Sequence, residues 1–134
     1  MSETNNVRFI HPAGLGPTPN YTHVVEVTSG RMIFTSGQVP LDEANNLVGG
    51  DDFAAQAHQV FKNIGIALAA AGADFTHIIK LNYYLTDFSD LPRLREIRNQ
   101  YINTAQPPAS TAVEVNCLFR DDVMIEVEAV AVLP

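Results

Sequence analysis

Residues 107–132 read PPASTAVEVNCLFRDDVMIEVEAVAV, and this stretch carries the most informative pattern in the chain. Two runs rich in β-branched and apolar residues, 111–118 and 123–133, flank the polar sequence Arg120-Asp121-Asp122. Such runs around a short polar turn predict two strands that pair as a hairpin. Alternation along the second run places one apolar set on a single face, suited to cover helices: Ile125, Val127, Ala129, Ala131 and Leu133.

The opposite face of that second strand has an unusual composition. Its side chains are half acidic and half apolar: Met124, Glu126, Glu128, Val130 and Val132. Apolar side chains on the far side of a sheet that already packs against helices indicate a second covering layer. In a chain of 134 residues we expect that layer to be another subunit.

Two helices are predicted upstream of this stretch. Asp51 and Asp52 can cap the first helix and Gly72 can end it. Its inner stripe has helical spacing: Phe53, Ala57, Val60, Phe61, Ile64 and Leu68. Its polar face is predicted to carry Gln56, Gln59, Lys62 and Asn63. The second helix has Ser89 or Asp90 as its cap, and its inner stripe is Leu91, Leu94, Ile97 and Tyr101.

The remaining segments complete an α+β domain. Residues 23–27 and 31–37 predict a hairpin around Gly30, and residues 78–86 predict a central strand. Residues 1–20 are predicted to form an irregular N-terminal lead-in, because Gly and Pro are frequent there. The order β-β-α-β-α-β-β predicts one domain over residues 1–134, in which two helices pack on one face of a mixed sheet.

Composition and charge exclude several classes of function. Eight Lys and Arg against fifteen Asp and Glu give a net charge of −7, without the basic footprint that nucleic-acid binding needs. No stretch approaches the ~20 apolar residues of a membrane span. Met1 to Asn6 lacks the apolar run of a signal peptide, so we expect a cytoplasmic protein. The single cysteine, Cys117, alternates with Val113 and Val115, which predicts a core position.

Several short motifs stand at family-specific separations along the chain. They are Tyr21–Val25, Phe34–Pro40, Gln56-Ala57, Ala70–Ala73, Tyr84–Asp87, Pro108–Thr111 and Ile125–Ala131. In these motifs the chain resembles the RidA/YjgF family, the reactive intermediate deaminases also labelled L-PSP. The resemblance covers about residues 16–132, nearly the whole domain.

The resemblance implies an architecture and a chemistry. Family members have a chorismate-mutase-like (Rid) fold and form homotrimers with clefts between subunits. Many hydrolyse enamines or imines derived from amino acids to ammonia and a 2-oxo acid, with no metal or organic cofactor. The implied partners are therefore two further copies of the chain and a small-molecule ligand, with no nucleic acid and no membrane.

One position departs from the family pattern. In typical members an arginine follows the Pro-Ala pair and binds the substrate carboxylate, whereas this chain has Ser110. A serine cannot form the bidentate, charged contact of an arginine, so we expect the substrate to differ from the usual 2-imino acid. Arg95 falls where the family has an active-site asparagine, and it either replaces the missing cation or is a solvated arginine paired with an acid. Arg98 and Arg120 are weaker candidates for that role.

The resemblance also points to three further site residues. Glu126 matches a strand glutamate that positions the attacking water, and burial would raise its pKa; the alternative is a surface glutamate beside Glu128. Tyr21 matches an aromatic residue that flanks the cleft, or else anchors a loop. Ser36, followed by Gly37, matches a ligand-facing turn, or simply ends a strand.

Three functions follow from these residues. The first is a Rid-type enzyme that hydrolyses an enamine or imine to a carbonyl compound and ammonia. The second is a non-catalytic small-molecule-binding protein or metabolic sensor on the same trimeric scaffold. The third, RNA cleavage, fits poorly with a net charge of −7.

Overall fold

The computed structural model describes residues 6–134. Its strands and helices, in chain order, are β1 (Val7–Ile10), β2 (Val24–Val27), β3 (Arg31–Phe34), α1 (Phe53–Ala69), β4 (Ile78–Leu85), α2 (Leu91–Arg98), β5 (Ala109–Glu114) and β6 (Ile125–Leu133). Single 3₁₀ turns at Phe75–His77 and Phe88–Asp90 lead into β4 and α2. The predicted α+β class and both predicted helices are confirmed.

The strands form a four-stranded mixed sheet and a separate two-stranded sheet. The larger sheet has the order β3-β6-β4-β5, in which only the β4–β5 pair is parallel. Both predicted hairpins are wrong, because β4 lies between β5 and β6, while β2 pairs with β1 and β3 pairs with β6. The predicted turn at 120–122 exists, but it belongs to a longer loop that begins where β5 ends at Glu114. A β-rich run specifies that a strand forms, whereas its partner is chosen by long-range packing.

The predicted irregular lead-in over residues 1–20 is wrong at Val7–Ile10, which forms β1 and pairs antiparallel with β2. The Gly- and Pro-rich composition applies only after Ile10. Residues 1–5 lie outside the described residues, so that part of the prediction is untested. A second correction concerns Cys117, which is exposed rather than in the core, because the chain has already left the sheet there.

The core lies between α1, α2 and one face of the larger sheet. The apolar stripe of α1 and the predicted inner face of β6 are buried together, from Phe61 and Ile64 to Ile125 and Val127. The Asp52 carboxylate accepts hydrogen bonds from the N–H groups of Ala54 and Ala55, as a capping residue does. Neither helix in the described part of the chain is both long and apolar enough to cross a membrane.

Gln56 is buried, not on the polar face of α1 as predicted from its helical position. Its side-chain amide donates to the carbonyls of Gly50 (2.7 Å) and Asp122 (2.8 Å). Its Oε1 accepts a hydrogen bond from the Met124 N–H at 2.8 Å. These three bonds fasten the first turn of α1 to the entry of β6.

The far face of the sheet is only partly covered within the chain. Val132 is 3% exposed and lies against Gly30, close to Asn6, so its cover does not require another subunit as the sequence suggested. Met32, Phe34 and Val113 on the same face remain 45%, 73% and 39% exposed. The exposed apolar side chains of this face therefore lie on the two edge strands, β3 and β5.

Candidate active site

Three of the predicted site residues line one cavity of about 240 Å³ at the edge of the sheet. Ser110 contributes from β5, Arg95 from α2 and Tyr21 from the loop before β2. The floor and walls are formed by Tyr83, Leu94, Arg98 and Ala112. The sequence therefore identified residues that do come together, although their roles remain predictions.

Hydrogen bonds to the chain just before β5 hold Tyr21 beside Ser110. The N–H of Thr22 donates to the Pro108 carbonyl at 3.2 Å, and its hydroxyl donates to the Pro107 carbonyl at 2.5 Å. Thr22 is 1% exposed, so this attachment is shielded from water. The loop and the start of β5 thus form one unit, in which both Tyr21 and Ser110 reach the cavity.

The orientation of Ser110 follows from strand register. Ser110 lies opposite Leu81 of β4, and Leu81 is buried in the helix-facing core. Cross-strand partners point to the same face of a sheet, so Ser110 points toward the helix layer. It therefore meets α2 rather than the far face of the sheet.

Arg95 and Arg120 have different surroundings. Arg95 is exposed at the mouth of the cavity, and within residues 6–134 it has no Asp or Glu at ion-pair distance. The paired-arginine alternative is thus not observed for Arg95. Arg120 instead pairs with Asp122, with 2.7 Å between Nη2 and Oδ2, and it does not line the cavity.

Arg98 and Tyr83 are the deepest polar residues of the cavity. Arg98 is 5% exposed, and its Nε and Nη2 donate to Oδ1 of the adjacent Asn99 at 3.2 and 3.1 Å. The Tyr83 hydroxyl is buried and makes no hydrogen bond with any described residue. Burial raises the pKa of Tyr83, and the positive charge of Arg98, whose side chain approaches the hydroxyl without reaching good hydrogen-bond geometry, opposes part of that rise. Nothing in the alternation of β4 marks Tyr83 as different from its apolar core neighbours.

Glu126 lies on the far face of the sheet, and Ser36 is the chain neighbour of Gly37, which contacts Glu126. Glu126 lies opposite Tyr84 of β4, and Asn82 on the same face donates to Glu128 at 3.0 Å. Partial burial, followed by the charge of Glu128, raises the pKa of Glu126 above its ordinary value, in the direction the sequence predicted. Ser36 is exposed just after β3, and Asn82 and Tyr84 were not identified from sequence.

Gly37 brings the backbone directly against the Glu126 side chain. A methyl group on Gly37 would overlap the Glu126 carboxylate, so only glycine leaves room for it there. The segment is fixed by two backbone hydrogen bonds between Gln38 and Val127, at 2.7 and 3.0 Å. The Glu126 carboxylate thus occupies the space that a side chain at position 37 would fill.

The cavity and Glu126 lie on opposite faces of the sheet. Ser110 shares its face with Leu81, whereas Glu126 shares the other face with Tyr84. A single chain therefore does not bring Tyr21, Arg95 and Ser110 together with Ser36 and Glu126. Within residues 6–134, no three His, Cys, Asp or Glu side chains are grouped so that they could hold a metal ion.

Fold and site together define a two-layer α+β domain with a small cavity on the helix side of its sheet and acidic residues on the far face. A family model described as endoribonuclease L-PSP matches residues 13–133 of this chain. The chain belongs to the RidA/YjgF family, as its motifs suggested.

Relatives with different names share most of the chain. Protein DfrA of Myxococcus xanthus is 40% identical over 121 residues, which cover 90% of this chain and 88% of that protein. The 2-iminobutanoate/2-iminopropanoate deaminase of Homo sapiens is 36% identical over 121 residues, covering 90% of this chain and 83% of the human protein. The crystal structure of YyfB, a conserved Rid family protein of unknown function from Yersinia pestis, has a TM-score of 0.82 at 30% identity and covers 96% of this chain and 99% of its own.

Proposed function

We propose that this protein hydrolyses an enamine or imine to a carbonyl compound and ammonia, on a substrate other than the usual 2-imino acid. The observation that carries the proposal is the Glu126 carboxylate, held against Gly37 with its pKa raised, in a chain similar to a human imine deaminase. The difference in substrate is inferred from Ser110, because β5 then supplies no charge at the point where the family arginine stands, and a substrate anion must be held from elsewhere in the cavity.

The chemistry needs one water and one proton relay. The Glu126 carboxylate takes a proton from water as the oxygen attacks the C=N carbon, and the same proton then passes to the departing nitrogen. The hydroxyl proton of the resulting carbinolamine then moves to the nitrogen by the same route as the C–N bond breaks and the C=O bond forms, which releases ammonia and consumes one water overall. A carboxyl group whose pKa is shifted toward neutrality accepts and returns a proton more readily than an ordinary glutamate.

We further propose a homotrimer whose clefts are completed between subunits. Met32 and Phe34 are exposed on β3 at one edge of the far face, Val113 is exposed on β5 at the other edge, and Glu126 lies between them on β6. Exposed apolar side chains of this kind on a small domain favour association with another copy. Association would bring Glu126 of one chain toward the cavity of its neighbour.

Ammonia release tests the enzymatic proposal directly. The panel combines 2-imino acids, generated in situ by an amino-acid oxidase, with imines and enamines that lack a neighbouring carboxylate, and ammonia formation is followed with and without the protein. We expect acceleration for at least one substrate class, and loss of that acceleration in Glu126→Gln. No acceleration across a broad panel would contradict the deaminase proposal.

A second candidate function is a non-catalytic binder or metabolic sensor of small anions. The specific observation in its favour is the cavity itself, which is lined by Arg95 and Arg98 and by no acidic residue. Thermal stabilisation by carboxylates without any turnover would support this candidate. RNA cleavage, which the family description suggests, would require RNA binding that survives rigorous nuclease removal, and the net charge of −7 opposes it.

A further inference from the structure

The buried end of the cavity around Ser110 contains a positive charge without a counter-charge. Arg98 is 5% exposed, and it makes no ion pair with any described Asp or Glu. A guanidinium has five N–H donors, and the neutral oxygen of Asn99 occupies two of them. A buried charge needs both a partner and satisfied hydrogen bonds, so Arg98 is incompletely compensated by the protein alone.

A second donor without a partner lies at the same place. The Tyr83 hydroxyl is buried and lines the same cavity; the Arg98 guanidinium lies close to its oxygen, but no described residue accepts its proton. Buried polar groups in folded proteins are almost always hydrogen-bonded, and the exceptions often mark ligand sites. A phenol that keeps its proton can donate to an anion, and burial keeps Tyr83 protonated by raising its pKa.

The charges of the residues that line the cavity disfavour a cationic ligand. Two arginines and no acidic residue line the cavity, although the whole chain carries a net charge of −7. Leu91, Leu94 and Ala112 supply apolar walls, and Ser110 supplies a further hydroxyl. The volume of about 240 Å³ corresponds to roughly eight water molecules, which suits a small organic anion with a short apolar body.

We propose that Arg98 and Tyr83 form a carboxylate-binding subsite, in which the guanidinium of Arg98 and the hydroxyl of Tyr83 donate to the carboxylate of a small aliphatic acid. The residue that binds the negative charge, Arg98, thus lies in the last turn of α2, in the helix layer, whereas Ser110 lies on β5 in the sheet. Arg95, at the mouth of the cavity, attracts the anion during entry. A role of this subsite in turnover rests on the deaminase proposal, whereas binding of the anion does not.

Calorimetric titration with propanoate tests the subsite, and propanamide serves as the neutral isostere. Both are titrated into the full-length protein at fixed ionic strength, because salt screens charge contacts. We expect propanoate to bind at least about tenfold more tightly than propanamide, the ratio that one charge-assisted hydrogen bond supports. Equal affinities, or no binding of propanoate, would overturn the proposal.

Variants then test whether Arg98 supplies the positive charge that binds propanoate. Arg98→Met keeps an unbranched apolar stem but removes the charge, and it should weaken propanoate at least about tenfold while leaving propanamide unchanged. Tyr83→Phe removes only the hydroxyl and should weaken propanoate several-fold. Arg120→Met is the matched control, because Arg120 pairs with Asp122 outside the cavity and should leave affinity unchanged. Should Arg98→Met fail to fold, Tyr83→Phe decides, and wild-type affinity in a folded Tyr83→Phe protein contradicts the subsite.

The outcome separates the subsite from the enzyme. Propanoate binding that depends on Arg98, without imine hydrolysis, would support the subsite and contradict the deaminase proposal. Imine hydrolysis whose KM is the same in Arg98→Met and wild type, for substrates with and without a carboxylate, would support the enzyme and overturn the subsite.

Discussion

Glu126 is the residue on which the proposed reaction depends, and its surroundings explain why. Its carboxylate is partly buried against Gly37 and close to Glu128, and both circumstances disfavour its charged form. The same two circumstances make Glu126 unfavourable for stability at neutral pH. Function and stability therefore have opposite requirements at this position.

The Glu126→Gln variant separates these two requirements. Loss of the base should lower turnover by about a hundredfold or more, because general base catalysis contributes on that order. Ligand binding in the cavity around Ser110 should persist, since Gln has nearly the same shape. Turnover within a few-fold of wild type would show that Glu126 is not the base.

The same variant makes a prediction for stability against pH. The raised pKa means that the folded state holds the Glu126 proton more tightly than the unfolded state does. The wild type therefore loses stability as pH rises through that pKa, whereas Gln does not titrate. We expect Glu126→Gln to have a higher Tm than wild type at neutral pH and to lose this advantage in acid. A difference in Tm between the two proteins that does not change with pH would contradict the raised pKa of Glu126.

Gly37→Ala tests how the carboxylate is held. The added methyl group would overlap the Glu126 side chain, whose flexible end can move away at little cost in stability. We expect kcat to fall at least about tenfold, a loss that small displacements of catalytic groups can produce, with Tm nearly unchanged. Gly16→Ala is the control, because a methyl group there meets no atom. A large fall in Tm would instead assign Gly37 a structural role.

Among the elements, α1 and β6 depend on each other through one buried amide. The three hydrogen bonds of Gln56 join α1 to Gly50, Asp122 and Met124. Gln56→Ala would leave backbone groups unpaired in the core, at about 1–3 kcal/mol each. We expect the free energy of unfolding in urea to fall by about 3–5 kcal/mol. The exposed Gln100→Ala should stay within about 0.5 kcal/mol of wild type.

The sequence predicted the helices and the buried strand faces better than it predicted which strands pair. Strong local signals correctly predicted the span of α1, the Asp52 cap and the inner face of β6. The strand pairs were wrong, because the insertion of β4 between β5 and β6 depends on contacts distant in sequence. Gln56 was misplaced for a related reason: only the approach of the 122–124 segment gives its amide buried partners.

The same distinction between local motifs and long-range packing applies to the candidate site. Motifs with a fixed spacing led to Tyr21, Arg95 and Ser110, which do share a cavity. These motifs gave no reason to prefer Arg98 to Arg95 as the residue that binds an anion. Arg98 is buried only because α2 packs against the sheet, and that packing cannot be read from local sequence. Tyr83 was not found at all, since a buried tyrosine and a tyrosine without a hydrogen-bond partner look alike in sequence.

For the whole molecule, the decisive feature is the set of apolar side chains exposed on the far face of the sheet. Phe34 is 73% exposed there, and Phe34→Asp places a charge in the proposed subunit contact. We expect light scattering to report a trimer for wild type and smaller species for the variant. Ile66→Asp, on the exposed side of α1, is the control and should remain trimeric. A monomeric wild type would contradict the assembly and the site between subunits.

The separation of Glu126 from the cavity around Ser110 by the sheet has a genetic consequence. In the proposed trimer, each cleft takes Glu126 from one chain and the cavity around Ser110 from another. Two impaired alleles, one altered at Glu126 and one at Arg98, would then complement each other when expressed together. Mixed trimers would regain some clefts with both halves intact, and others would lack both. Activity would then depend on which two chains meet at each cleft, and no single chain would need to carry every functional residue.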